Sequence, residues 1–256
     1  MNFKVEELNV FVAENRSELG QISARNVSLK IKELLEKKDE IRMIFAAAPS
    51  QDEFLNELVS DKTIDWSRIV AFHMDEYIGL DENAEQLFSR YLNNHIFNKV
   101  NFKKVHLIDS QAKDNIRECL RYESLLKEKP IDIVCMGIGE NGHIAFNDPP
   151  VADFCDAMYV KVVELEEKCK HQQVNDGAFS SVENVPPSAF TLTVPALLDA
   201  DYLNVVVPGL RKAQAVCDTL AGPVSTRCPA SVIRTHPDAS LYLDGDSASL
   251  FNEITK

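Results

Sequence analysis

The chain has 256 residues, 45% hydrophobic and 26% charged, with 27 Lys and Arg against 40 Asp and Glu and a formal net charge of −13. That length and apolar share suffice for one well-buried domain spanning residues 1–256. The acidic balance argues against nucleic acid as a partner, because phosphate contacts need clustered Lys and Arg, while a local basic pocket for a small anionic substrate stays compatible with it.

In chain order, residues 22–37 show helical spacing of Ile22, Val27, Ile31, Leu34 and Leu35, and 41–48 is a short apolar run that predicts a buried strand ended by Pro49-Ser50. Helical character resumes over 53–59, and Ile69-Val70-Ala71-Phe72 predicts a second strand, feeding a loop that carries Met74-Asp75-Glu76-Tyr77. A helix over 86–96, a strand over 105–108 and a helix over 116–127 lead to the strongly apolar strand 131–136. The loop 137–150 follows, then strands over 190–194 and 202–207, a helix over 212–220 and a last strand over 240–243. Strand-helix alternation of this kind implies a single three-layer α/β domain, a mostly parallel Rossmann-like sheet with helices on both faces. Ligands of such sheets bind at loops beyond the carboxyl ends of strands.

No run approaches the roughly 20 apolar residues that span a bilayer, and the opening MNFKVEEL lacks the basic start and apolar core of a signal peptide. Cys119, Cys135, Cys155, Cys169, Cys217 and Cys228 are scattered without a CxxC pair, which suits reduced thiols in a cytosol better than disulfides or a zinc site. Neither metal nor cofactor is expected, and no membrane partner.

Two segments carry chemistry. In Phe72-His73-Met74-Asp75-Glu76-Tyr77-Ile78-Gly79-Leu80 an apolar strand delivers adjacent carboxylates. Neighbours on an extended backbone point to opposite sides, so one of the two faces a pocket, where it can act as a general base. Read locally, the same pair is equally a helix cap or a solvated turn. In Gly137-Ile138-Gly139-Glu140-Asn141-Gly142-His143-Ile144-Ala145-Phe146-Asn147-Asp148-Pro149-Pro150, glycines let the backbone approach a ligand. Asn147, Pro149 and Pro150 break the helix that a dinucleotide site requires. His143, flanked by Asn141 and Asp148, has the setting of an imidazole that moves protons near neutral pH, or of a histidine bonded to its own loop.

FHMDEYIGL together with GIGENGHIAFNDPP resembles the paired signature of the glucosamine-6-phosphate deaminase/isomerase family. Supporting segments are Val185-Pro186, Phe190-Thr191-Leu192-Thr193, Leu197-Leu198-Asp199-Ala200 and Gly209-Leu210-Arg211-Lys212-Ala213, in order and spacing from about Phe45 to Leu243. The resemblance implies isomerisation and deamination of a hexosamine 6-phosphate, glucosamine 6-phosphate giving fructose 6-phosphate and ammonia. By the same resemblance, Asp75 shuttles a proton between C2 and C1 through an enediol-like intermediate, His143 opens the ring with Asn141 and Asp148 as its partners, and Lys212 pairs the phosphate.

The departures are also specific. Asn141 stands where the family often has Asp, and Asp148 where Glu is more usual. The family's Gly/Thr/Ser-rich phosphate loop is replaced by Ala46-Ala47-Ala48-Pro49-Ser50-Gln51, leaving Ala48, Ser50, Gln51 and the N–H groups of the next helix, together with Gly139 and Gly142, as substrate-binding candidates. The phosphate-binding Arg of the family has no match in Lys170-His171-Gln172-Gln173-Val174-Asn175-Asp176-Gly177, and Arg234 is the substitute considered. Val151 to Asp156 lacks the basic residues of allosterically activated members, so no activation by an N-acetylated sugar phosphate is expected. A galactosamine-6-phosphate isomerase, a phosphorylated-sugar lactonase and a non-catalytic sugar-phosphate sensor are the alternatives. The sequence leaves open the epimer accepted and the choice between monomer and homo-oligomer.

Overall fold

The computed structural model describes residues 1–254. A hairpin of β1 (Asn2–Val5) and β2 (Leu8–Val12) precedes α1 (Arg16–Lys37), whose start is fixed by the Asn15 side chain accepting the Glu18 N–H. Then come β3 (Ile41–Phe45), α2 (Asp52–Ser60), β4 (Ile69–His73), β5 (Asp75–Tyr77) and α3 (Phe88–Leu92), which runs into a π-helical turn over Asn93–Phe97. β6 (Lys104–His106), α4 (Asn115–Lys127), β7 (Ile133–Met136), β8 (Val160–Glu164) and α5 (Glu167–Asn175) follow. The chain continues through β9 (Ser188–Leu192), α6 (Val194–Leu198), β10 (Tyr202–Val207), α7 (Ala213–Ala221), β11 (Ala239–Leu243) and α8 (Ser249–Ile254).

Eight strands form one sheet in the order β1-β2-β11-β10-β7-β3-β4-β6, parallel except for the terminal β1–β2 pair. Its central strands are buried at every position and mostly apolar because both faces are covered. Alternate side chains serve different cores. Met43, Phe45, Ala71, Cys135 and Val206 pack with Val27, Ile31 and Leu34 of α1 and Phe54, Leu55 and Leu58 of α2. Ile44, Phe72, Val134, Met136, Val205 and Val207 pack on the other side with Tyr122 and Leu126 of α4 and Val216 and Leu220 of α7. The three-layer α/β expectation therefore describes the molecule.

A second, antiparallel sheet, β5-β9-β8, stands apart and covers a smaller core around Tyr77, Phe146, Val163 and Phe179. It corrects two expectations. Asp75 lies on strand β5 rather than on a loop, and the strand expected at 190–194 belongs to this sheet. The helix expected at 212–220 begins at Ala213, with Lys212 in a 3-10 turn over Leu210–Lys212.

Candidate active site

Segments leaving the carboxyl ends of the adjacent strands β10, β7, β3 and β4 surround one cavity of about 420 Å3. Residues 46–51 after β3, Met74 and Asp75 after β4, Gly137 to Glu140 and His143 after β7, and Pro208 to Lys212 after β10 all line it. α5 closes one side with Gln172 and Gln173.

The adjacent carboxylates part company. Glu76 is fully buried and accepts the N–H groups of Tyr77 at 3.0 Å, Phe88 at 2.9 Å and Ser89 at 2.8 Å, so it pins β5 to the start of α3. Asp75 faces the cavity, only 8% exposed, and no side-chain hydrogen bond reaches its carboxylate among the described residues. Burial, reinforced by the charge of Glu76, pushes its pKa well above the usual carboxylate range. A desolvated carboxylate of raised pKa is a stronger base than a solvated one.

His143 lines the cavity while its Nδ1 lies 2.7 Å from Asn141 Oδ1 and 2.9 Å from Asp148 Oδ1. An Nδ1 placed between two acceptor oxygens carries the proton, which leaves Nε2 free to exchange one with a ligand. Asn141 is itself oriented, donating from Nδ2 to Asp148 Oδ1 at 2.8 Å and to Glu166 Oε2 at 2.7 Å. Asp148 is 1% exposed; burial raises its pKa, but the bonds from His143 and Asn141 outweigh that and hold it below the usual value, so it stays ionised. A ring nitrogen of His143, an Asp148 oxygen and Cys169 Sγ lie within 4.8 Å of one another, a buried N/O/S set of the kind that holds zinc, although His143 Nδ1 is already engaged by Asn141 and Asp148. The thiol itself is held protonated, its pKa raised by burial and then by Asp148.

Lys212 also lines the cavity, is 8% exposed and forms no ion pair among the described residues. Burial lowers its pKa. Ala48, Ser50 and Gln51 line it too, but the Gln51 amide is committed to Ser50 Oγ at 3.1 Å and the Val206 carbonyl at 3.2 Å. Arg16, unremarked in the sequence, reaches the cavity with its guanidinium bonded to Glu53 at 2.6 Å and to the Pro49 carbonyl.

Two candidates are corrected. Arg234 is buried under α7, donating to the Leu220 carbonyl at 2.9 Å and lying 3.7 Å from Glu6, away from the cavity. Gly142 does not line the cavity either; it turns the loop at φ +83°, where a Cβ would sit 2.7 Å from Cys228 Sγ. Gly139 does line it, but what it admits is His143: a Cβ there would lie 2.2 Å from the imidazole. Residues that sequence reasoning left unassigned are Glu166, Gln172, Gln173 and Arg211, the two glutamines being legible only as a polar pair in a helix with almost no apolar face.

The sequence model of glucosamine-6-phosphate isomerases/6-phosphogluconolactonases matches residues 14–242. A glucosamine-6-phosphate deaminase of Listeria welshimeri is 35% identical over 226 residues, 87% of this chain and 94% of that one. One from Lactobacillus delbrueckii subsp. bulgaricus is 33% identical over 243 residues, covering 95% and 99%. The solved structure of a monomeric glucosamine-6-phosphate deaminase superposes with a TM-score of 0.86 at 30% identity, over 94% of this chain and 99% of that one. A 6-phosphogluconolactonase of Thermotoga maritima shares the fold, with a TM-score of 0.76 at 20% identity over 93% and 99%.

Proposed function

The chain belongs to the family of glucosamine-6-phosphate isomerases and 6-phosphogluconolactonases, and from that premise we propose that it converts glucosamine 6-phosphate into fructose 6-phosphate and ammonia, with His143 and Asp75 moving the protons. The observation that carries this reading is the convergence of Asp75, His143 and Lys212 on a single sugar-sized cavity.

Each group has a task that fits its surroundings. His143 Nε2 takes the O1 proton of the closed sugar and returns one to O5 as the C1–O5 bond breaks. Asp148 and Asn141 hold the tautomer, and the ionised Asp148 stabilises the imidazolium formed in between. Asp75 then removes the C2 proton: the C–H electron pair becomes the C1–C2 double bond while the C1=O1 π pair moves onto O1, which takes a proton from solvent to give an enol-type intermediate. Return of that proton to C1 places a C=N bond at C2, and addition of water there expels ammonia and leaves the ketone. The buried ammonium of Lys212 anchors the anionic end of the sugar as a point charge. Among the described residues no helix is long and apolar enough to cross a membrane; a cytosolic setting agrees with this reading.

The test is ammonia release from glucosamine 6-phosphate by the wild type and Asp75→Asn, with a phosphorylated lactone as the control substrate. Loss of a general base costs about 10²–10⁴-fold. Turnover of the lactone alone, or full activity in the variant, overturns the reading.

A further inference from the structure

The inference here rests on the deaminase reading and concerns the charge of the group at C6. Lys212 is buried without an ion pair among the described residues, yet the charged groups around it do not make a cationic pocket. Two carboxylates line the cavity with it: Glu140 from the loop after β7 and Asp176, the C-terminal cap of α5. Burial lowers the proton affinity of Lys212; Asp176 and then Glu140 act through space against that, while Arg211 adds to it.

Neither carboxylate is placed for its own comfort. Among the described residues Glu140 Oε1 is buried with no hydrogen-bond partner, and Arg211 Nε is 3.9 Å away. Asp176 sits at the negative end of the α5 dipole, with no basic residue in that last turn. Among the described residues its carboxylate receives only a long contact, 3.4 Å, from Gln172 Nε2. Among the described residues, the remaining charged or titratable groups lining the cavity are Arg16, already bonded to Glu53, and Asp75 and His143. Arg211 and Lys212 are thus matched one for one by Glu140 and Asp176 before any ligand enters. Residues 46–51 add no charge, and Pro49 offers no N–H.

We propose that this site selects a hexosamine whose C6 substituent carries a single negative charge, a sulfate ester or the monoanion of a phosphate ester, and that Asp176 and Glu140 impose the selection by repelling a dianion. A phosphate ester loses its second proton near pH 6, whereas a sulfate ester stays singly charged. The ratio of kcat/KM for glucosamine 6-sulfate over glucosamine 6-phosphate therefore rises about tenfold for each pH unit above that value. Because the same Asp75 and His143 act on both esters, their own titration cancels in the ratio. Asp176→Asn flattens the rise and raises kcat/KM for the phosphate at pH 8 by about tenfold, the effect of removing one nearby charge. A phosphate preference that does not change with pH, an unaltered ratio in Asp176→Asn, or unesterified glucosamine turned over as well as the sulfate overturns the proposal. If no sugar releases ammonia, the deaminase reading falls separately, and thermal shifts decide the charge question. Methyl sulfate must then stabilise the protein more than methyl phosphate at pH 8, and an equal or larger shift with methyl phosphate refutes it.

Discussion

Asp148→Asn isolates what a carboxylate contributes to His143, because the substitution keeps the shape and removes the charge. The wild-type imidazole has two oxygens at Nδ1, Asn141 Oδ1 at 2.7 Å and Asp148 Oδ1 at 2.9 Å. With Asn at 148, Asn141 still fixes the tautomer, so the ring stays correctly presented. What is lost is stabilisation of the imidazolium during ring opening. A charge pair at contact distance interacts by about 4 kcal/mol at an effective dielectric of 20. Glu166, bonded at 2.7 Å to the far side of Asn141, retains part of that field. A net loss of about 2–3 kcal/mol in the barrier means roughly 30- to 150-fold in kcat. The assay is initial-rate ammonia release from glucosamine 6-phosphate bearing hydrogen or deuterium at C2. Ring opening becomes rate-limiting in the variant, so the isotope effect shrinks towards unity as kcat falls. A fall in kcat with an isotope effect equal to or larger than the wild type's, or a rate within about twofold of wild type, would refute the assignment of Asp148 and His143 to ring opening.

Lys212→Met should raise KM for either ester by about 10- to 100-fold, the loss of one charge-assisted contact, and leave kcat nearly unchanged, because the contact is the same in ground and transition states. It should also raise Tm: the folded state disfavours this ammonium, its pKa being lowered by burial, so the gain is largest at neutral pH and fades as pH rises towards the ordinary lysine pKa of about 10.4. Asp75→Asn should be more stable than wild type above the ordinary aspartate pKa of about 3.9. The folded-state pKa of Asp75 is raised, so the native protein binds more protons than the unfolded one over that window, and wild-type stability declines as pH rises through it. Calorimetry from acid to neutral pH checks both signs, and a Tm difference that does not vary with pH contradicts them.

Much of the central sheet was legible because its strands are largely apolar runs bounded by turn residues. Tyr202–Val207, Ile69–His73 and Ile133–Met136 leave little alternative once both faces must be buried. The small sheet was not legible for the opposite reason. β5 is three residues long, too short for any period, and β8 reads Val-Lys-Val-Val-Glu, with part of its surface exposed. α5, Glu-Lys-Cys-Lys-His-Gln-Gln-Val-Asn, offers only a cysteine and a valine as apolar residues, so no stripe announces it; its inward face is amide rather than hydrocarbon. For the same reason the polar wall of the cavity escaped notice, whereas Asp75 and His143 stood out beside apolar strands. Arg234 shows the limit of matching charge by residue type. Its guanidinium is taken up by a carbonyl of α7, a partner that only the tertiary fold supplies.

The fates of Asp75 and Glu76 explain why a strand, rather than a loop, carries the carboxylate proposed as the base. An unpaired buried carboxylate tends to escape to water, and a flexible loop would let it. Here Glu76 accepts three N–H groups, two of them from the first turn of α3, and each bond to a charged acceptor is worth about 1.5–3 kcal/mol. β9 pairs across the same residues, Asp75 opposite Thr191 and Glu76 opposite Phe190. The backbone is therefore clamped on the side away from the cavity, and the alternation of the strand leaves Asp75 directed into it. One carboxylate satisfied by the fold holds its neighbour unsatisfied, and that arrangement gives a proton acceptor whose charge is relieved only when it takes a proton from a ligand.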